Sequence, residues 1–210
     1  MVLAEKRGRL VREIIDMGFL RTEEIIAAFR KVPREEFVLP QYKEYAYANE
    51  PLPIAAGQTI SQPLTVAAMT EALQPASGMK ILEVGAGSGY QAAILAEIVG
   101  GKGKVITTEF IPELARFAQD NLARCGYKNV FVILHDGSLG YGKEAPYDRI
   151  IVTAAAPDIP QALTEQLKEG GRLVITVGDE LFLVEKDKEI KKTFLGYYAF
   201  VPLKGKHGYR

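Results

Sequence analysis

Three glycines at alternate positions, Gly85, Gly87 and Gly89, punctuate the stretch Glu83-Val84-Gly85-Ala86-Gly87-Ser88-Gly89-Tyr90. Glycine lets the backbone take positive φ and lets a ligand approach where a Cβ would collide. Placed after a strand and before a helix, such a turn aims free N–H groups at a bound nucleoside or phosphate. Glu109 stands twenty positions beyond Gly89. An acid at that separation falls at the end of the next strand, where it can accept hydrogen bonds from both hydroxyls of a ribose. The constellation Gly85, Ala86, Gly87, Ser88, Gly89 and Glu109 therefore points to a nucleoside cofactor. A hydride-carrying dinucleotide would call for Gly-x-Gly-x-x-Gly with its third glycine at Tyr90, and here that glycine comes one position early.

Other polar residues carry two readings each. Ser61, in the loop Gly57-Gln58-Thr59-Ile60-Ser61-Gln62-Pro63, is suited to cap the helix that follows, with proline tolerated in its first turn. It is equally a hydroxyl on a loop that can face a site. Asp136, before Gly137, lies at the carboxyl end of a third strand, where open α/β sheets place ligands; it can receive an adenine amino group or cap the next turn. His135 reads as a packed neighbour and Cys125 as an idle thiol. His135, His207 and Cys125, the only soft ligands, do not stand at metal-site spacing, so no metal is expected.

The elements that must hold these residues follow from periodicity. Ile81, Leu82 and Val84 form an apolar run too short for a helix and suited to a buried parallel strand. Alternation continues as helix 91–99, strand 104–108, helix 112–124, strand 130–134, strand 147–153, helix 160–168 and strand 172–177. Ala154-Ala155-Ala156-Pro157 reads as an opening beside the cofactor. Glu180–Lys186 and Ile190–Leu195 read as an antiparallel hairpin, with Phe200–Leu203 as a last short strand. Upstream, Leu10, Val11, Ile14 and Ile15 mark a first helix over 5–17. Thr22 is placed to cap a second, which Pro33 ends. Residues 40–53, with three tyrosines and three prolines, read as an irregular segment over the core. A helix over 63–74 follows. The pattern predicts a doubly wound, mostly parallel α/β sheet with antiparallel C-terminal strands and an N-terminal helical extension. It also predicts one domain over 1–210, with residues 1–75 as extension and motif loop and 76–210 as the Rossmann-like core.

Composition narrows the partners. The chain has 210 residues, 48% of them hydrophobic, enough for one substantial core. Its 26 basic and 26 acidic residues cancel, which argues against nucleic acid as partner. No apolar run approaches a membrane span and no signal-peptide pattern opens the chain, so no membrane association and a cytoplasmic location are expected. A single cysteine fits a reducing compartment.

The glycine corner with Glu109 and Asp136 resembles the S-adenosylmethionine-dependent methyltransferases of the Rossmann-like class I group. Three further stretches are similar to one family among them, protein-L-isoaspartate (D-aspartate) O-methyltransferase. They are Gly57–Pro63, Glu144-Ala145-Pro146-Tyr147-Asp148, and Ala154–Pro157 taken with Gln166–Leu173. Val32–Val38 and Phe200–Leu203 fit the family's flanks. The family often has Asp-Gly-Arg where Asp136-Gly137-Ser138 stands, and Pro-Val-Gly where Thr176-Val177-Gly178 stands. The resemblance implies S-adenosyl-L-methionine as cofactor, held by residues 85–89, Glu109, Asp136 and Gly137. It implies methylation of the free α-carboxylate of L-isoaspartyl residues in damaged proteins and peptides, an ester that closes to a succinimide and begins repair. It matches Ser61 to the position that orients the acceptor, with Thr59, Ile60, Val177 and Gly178 as the expected readers of the peptide. A monomer is expected. Readings outside this family are a nicotinamide oxidoreductase, a methyltransferase for RNA or small molecules, and a non-catalytic peptide-binding module.

Overall fold

The computed structural model describes residues 2–209. Two helices open the chain, α1 (Leu3–Asp16) and α2 (Glu23–Lys31), followed by short 3-10 turns at Arg34–Glu36 and Pro40–Tyr45. A two-stranded ribbon, β1 (Leu52–Pro53) with β2 (Thr59–Ile60), leads into α3 (Pro63–Leu73). The alternating part comprises β3 (Lys80–Val84), α4 (Tyr90–Val99), β4 (Lys104–Glu109), α5 (Pro112–Arg124), β5 (Val130–Leu134) and β6 (Tyr147–Ala156). Then come α6 (Gln161–Gln166), β7 (Leu167–Val177), β8 (Glu180–Lys186) and β9 (Ile190–Tyr197).

The main sheet has seven strands in the order β5-β4-β3-β6-β7-β8-β9. Every pair from β5 to β7 is parallel, and β8 is antiparallel to both its neighbours, so β9 runs in the direction of the parallel strands. The strand order reverses at β3, with β4 on one side and β6 on the other. That reversal is where an open α/β sheet leaves a crevice beyond its carboxyl edge.

Burial explains the composition of the helices. Nine of the ten residues of α4 are buried, and so are eight of the eleven of α3, among them Val66, Met69, Thr70 and Glu71. Both therefore lack a polar face and read as apolar nearly all round. Leu10, Val11, Ile14, Ile25 and Phe29 of α1 and α2 share one apolar cluster with α3, α4 and a face of the sheet. Glu71 ties these layers together. Its carboxylate accepts from the Arg21 and Thr22 N–H groups at 2.7 and 2.9 Å, and from the Thr22 hydroxyl at 2.8 Å. Thr22 does occupy the α2 cap position, but its side chain serves Glu71 and makes no capping bond.

The segment 34–50 is a strap held by a buried cation. Arg34, wholly buried, donates through Nε to Ala46 O at 2.8 Å and lies over the Tyr90 ring at 5.1 Å. Desolvation lowers its pKa to about 10, against the opposing pull of Tyr90 and Tyr47.

Three sequence expectations change. Ala154-Ala155-Ala156 is the end of strand β6, because pairing with Thr176 and Val177 on one side and the C-terminal segment on the other overrides alanine's weak strand preference. Strand β7 begins at Leu167, five residues before the expected Arg172. Leu167 pairs with Tyr147 and Arg172 with Arg149, so the excess residues between them bulge out at Glu169-Gly170-Gly171, and the expected turn survives inside the strand with Gly170 at φ +72°. Phe200–Leu203 makes a single bridge, Ala155 to Pro202, in place of a strand.

Candidate active site

The turn after β3 divides its glycines between packing and space. At Gly85 (φ +99°) a Cβ would collide with Thr153 Oγ1. At Gly89 (φ +87°) it would press Leu122 at 3.1 Å. At Gly87 the only atom in reach is Ile54 Cδ1 at 3.8 Å, so that position faces open space. The turn is fixed from below: the Gly85 and Ala86 N–H groups both donate to Thr108 O, at 2.9 and 3.1 Å.

Glu109 closes the corner. Its Oε2 accepts from Gly87 N at 2.9 Å and its Oε1 from Ile111 N at 3.0 Å. Two backbone donors thus aim a nearly buried carboxylate that keeps lone pairs for a diol. Gly85, Ala86, Gly87, Ser88, Glu109 and Gly137 all line one cavity, with Phe110, Ile111 and Leu114 as an apolar side. Gly137 has no room for a Cβ against Thr108 Oγ1 and Val84.

The floor of this cavity holds a residue that the sequence analysis passed over. Glu83 is wholly buried, and neither of its carboxylate oxygens has a hydrogen-bond partner among the described residues. Burial, with a further push from the charge of Glu109, raises its pKa to about 8; the neighbouring Thr107 hydroxyl opposes the shift but makes no hydrogen bond of ordinary geometry. A lone buried carboxyl is costly unless something cationic comes to it. Its signal in the sequence was a glutamate inside an otherwise apolar strand.

Thr59, Ile60 and Ser61 form another wall of the same cavity. The α3 cap is not Ser61 but Gln62, and the helix-end N–H of Leu64 is taken by Asn49 Oδ1 at 3.0 Å. Asn49 belongs to the strap, and its carbonyl also accepts from Gln62 Nε2 at 2.9 Å. The strap therefore does the capping and Ser61 is left out of it. A second groove lies on the far side of Ser61, lined by Pro51, Leu64, Tyr197, Tyr198 and Phe200 and sharing Thr59, Ser61, Thr153 and Val201 with the first. The Thr153 hydroxyl is committed to Val84 O and Gly85 O, at 3.1 and 2.6 Å.

Four expected site residues lie outside both cavities. Gly89 sits at the start of α4 and serves packing. Both Asp136 oxygens are engaged, Oδ1 by Ser138 N and Oγ at 3.0 and 2.6 Å and Oδ2 by Lys206 N at 2.7 Å. It caps the turn Gly137–Leu139, one of its two sequence readings. Val177 and Gly178 form the β7–β8 hairpin end, with Gly178 N bonded to Ala156 O at 2.9 Å. Their places around the groove are taken by Tyr197–Val201, a stretch whose lack of periodicity hid it. Among the described residues no group of three or more His, Cys, Asp or Glu could hold a metal ion, and no helix is long and apolar enough to cross a membrane.

The family model for protein-L-isoaspartate(D-aspartate) O-methyltransferase matches residues 5–208. The chain belongs to this family. A protein-L-isoaspartate O-methyltransferase of Methanopyrus kandleri is 53% identical, over 100% of this chain and 96% of its own length. One of Pyrococcus horikoshii is also 53% identical, over 99% and 97%. A solved protein-L-isoaspartate O-methyltransferase superposes with a TM-score of 0.87 at 30% identity, covering 96% of this chain and 67% of that one. A Plasmodium falciparum structure under the same family name, in complex with S-adenosyl-L-homocysteine, superposes at 0.84 and 25% identity, over 94% and 98%.

As an isoaspartate methyltransferase, the chain departs from the pattern at two buried places. Ser138, where an arginine is frequent, is wholly buried and bridges Asp136 to His207 N at 3.0 Å. Thr176, where a proline is frequent, is wholly buried and its hydroxyl has no partner among the described residues. The cavity itself fits the family's cofactor: a carboxylate aimed for a ribose, an unpartnered carboxyl for a cation, and an apolar side for an adenine.

Proposed function

We propose that this methyltransferase esterifies the free α-carboxylate of L-isoaspartyl residues in damaged proteins and peptides, the step that opens repair through a succinimide. The observation that carries the reading is the meeting of two cavities at Ser61, one with Glu83, Gly87 and Glu109, the other a groove open to solvent. Bound in the first, S-adenosylmethionine supplies an electrophilic methyl group on a sulfonium centre.

The chain's own residues then have limited work. Glu109 accepts from the ribose hydroxyls, and Gly87 leaves the space beside them. Glu83 offers its carboxylate to the cationic end of the cofactor. Phe110, Ile111 and Leu114 cover the adenine. An α-carboxyl with an unperturbed pKa of roughly 3.5 is already ionised at neutral pH, so no general base is needed. What remains is to orient the carboxylate and keep water out. Ser61 donates a hydrogen bond to the acceptor from the wall shared by the two cavities. Thr59 and Ile60 present backbone beside it, and the aromatic segment 197–200 shields the groove. Val177 and Gly178 act at one remove, through the β7–β8 hairpin end, where Asp179 O accepts from Tyr198 N at 2.8 Å.

The chain works as a single unit, since the extension supplies Asn49 and the loop with Ser61 while the Rossmann-like core supplies the cofactor side. Both cavities are built by one copy, which suits a monomer acting on protein substrates in the cytoplasm. The test is radiolabelled methyl transfer to a peptide with one isoaspartate beside its aspartate twin. Label in the first alone is expected, and equal labelling would overturn the reading.

A further inference from the structure

The C-terminal segment forms a wall of the cofactor cavity, and its far end is fastened by side chains of the turn after β5. Val201, Pro202, Leu203 and Lys204 line the cavity. The first part of the wall is held directly by the end of β6, through Ala155 N to Val201 O at 2.9 Å and Leu203 N to Ala155 O at 2.7 Å. Downstream the chain turns back on itself, with Tyr209 N bonded to Leu203 O at 2.9 Å. Between these ties, Asp136 Oδ2 accepts Lys206 N at 2.7 Å and Ser138 Oγ accepts His207 N at 3.0 Å. Ser138 Oγ in turn donates to Asp136 Oδ1 at 2.6 Å. Gly205 crosses directly over the carboxylate, and any Cβ there would overlap it.

We propose that Asp136 and Ser138 are positioning residues that latch the turn 205–207, holding Val201–Lys204 as the closing wall of the cofactor cavity and setting how fast cofactor and product exchange. The inference rests on the reading of this cavity as the S-adenosylmethionine site. It reassigns Asp136, which lines neither cavity and accepts from Ser138 and Lys206, from contact with the adenine to control of the wall beside it. It also explains a serine at position 138. The site is wholly buried, and a short hydroxyl can accept from His207 N while donating to Asp136. Adjacent Gly137 lies so close to Thr108 and Val84 that a Cβ there would collide with them, so the turn carrying Ser138 sits tightly on the sheet.

The experiment uses the full chain and S-adenosylhomocysteine, with dissociation followed by stopped flow and amide exchange read at Lys206 and His207. Wild-type binding tests the cofactor site itself; no binding would sink that reading before the latch is reached. Asp136→Asn keeps the shape but turns an amide donor toward one of the N–H groups. We expect dissociation about tenfold faster, the size of losing one charge-assisted contact, together with faster exchange at Lys206 and His207. Ser138→Ala should move both in the same direction by less. A double-mutant cycle adds Gly205→Ala, which should cost less in an Asp136→Ala background because the collision is gone. The adenine role is separated with S-inosylhomocysteine, which carries a carbonyl in place of the amino group. A latch predicts that Asp136→Asn weakens both ligands by the same factor. Loss of discrimination between them, or unchanged dissociation and exchange with wild-type binding intact, would overturn the proposal.

Discussion

Replacing Glu109 by alanine separates what the carboxylate does for the turn from what it does for the cofactor. In the apo protein it satisfies Gly87 N and Ile111 N, at 2.9 and 3.0 Å in a nearly buried place. Leaving a buried donor unpaired costs about 1–3 kcal/mol, although water entering the vacated space recovers part of it. That penalty falls on folding and is read as a lower Tm without ligand. The lost ribose contact is a separate quantity. A hydrogen bond to a charged acceptor contributes about 1.5–3 kcal/mol, so the Kd for S-adenosylhomocysteine should rise roughly 10- to 150-fold. Glu109→Gln should fall between, since its amide oxygen can serve only one of the two N–H groups. Calorimetry on folded protein reads the second quantity alone. A Kd within twofold of wild type, with only the Tm lowered, would reduce Glu109 to a brace for the Gly87 turn and remove it from the cofactor site.

Ser61→Ala should lower kcat on the order of tenfold while S-adenosylhomocysteine affinity holds within about twofold, because only orientation of the acceptor is lost; steady-state kinetics showing full turnover would refute the assignment. Gly89→Ala should lower the Tm more than Gly87→Ala, given Leu122 at 3.1 Å from its Cβ position, whereas Gly87→Ala should lose more cofactor affinity. Thermal melts and calorimetry on the pair should therefore rank them in opposite orders. In the folded apo protein Glu83 holds its proton up to about pH 8, while in the unfolded chain it ionises near 4.5. The folded state binds the extra proton across that window, so its stability falls as pH rises through it. Glu83→Gln should flatten the decline, and denaturant titrations with the same slope against pH in both proteins would count against it.

Much of the fold was legible because buried parallel strands write themselves as short apolar runs. The run Ile81–Val84 and the helix read over 91–99, which the structure starts at Tyr90, could hardly be read otherwise, and Glu109 was found by spacing alone. What escaped was decided by distant partners. Ser61 looks like a cap in the sequence, yet Asn49, fifteen positions before Leu64, performs that duty. Glu169-Gly170-Gly171 does turn, with Gly170 at φ +72°, but pairing of Leu167 with Tyr147 before it makes that turn a bulge within β7 and not the boundary of the strand. Asp136 stands at the end of its strand as the sequence suggests, but the bond it accepts from the tail seventy residues later has no local signal. Glu83 was in view and its meaning was not, because a missing partner is a property of the folded surroundings.

Strand β9 is an open edge of the main sheet, and the proposed substrates give that edge a particular hazard. Damaged proteins arrive with loosened backbone, and unpaired strand edges are templates for one another. Lys191 and Lys192 are exposed along β9. The register slips where Gly196 faces Leu181 and Phe194 faces Phe182, leaving Leu195 as an extra residue that breaks the ladder. Ile190, Phe194, Leu195 and Tyr197 are exposed on the same strand, so the two lysines and the break in the ladder are what oppose lengthwise docking of a stray chain. For a protein whose proposed substrates are damaged chains, Lys191, Lys192 and the bulge at Leu195 thus separate binding in the groove from pairing along the border.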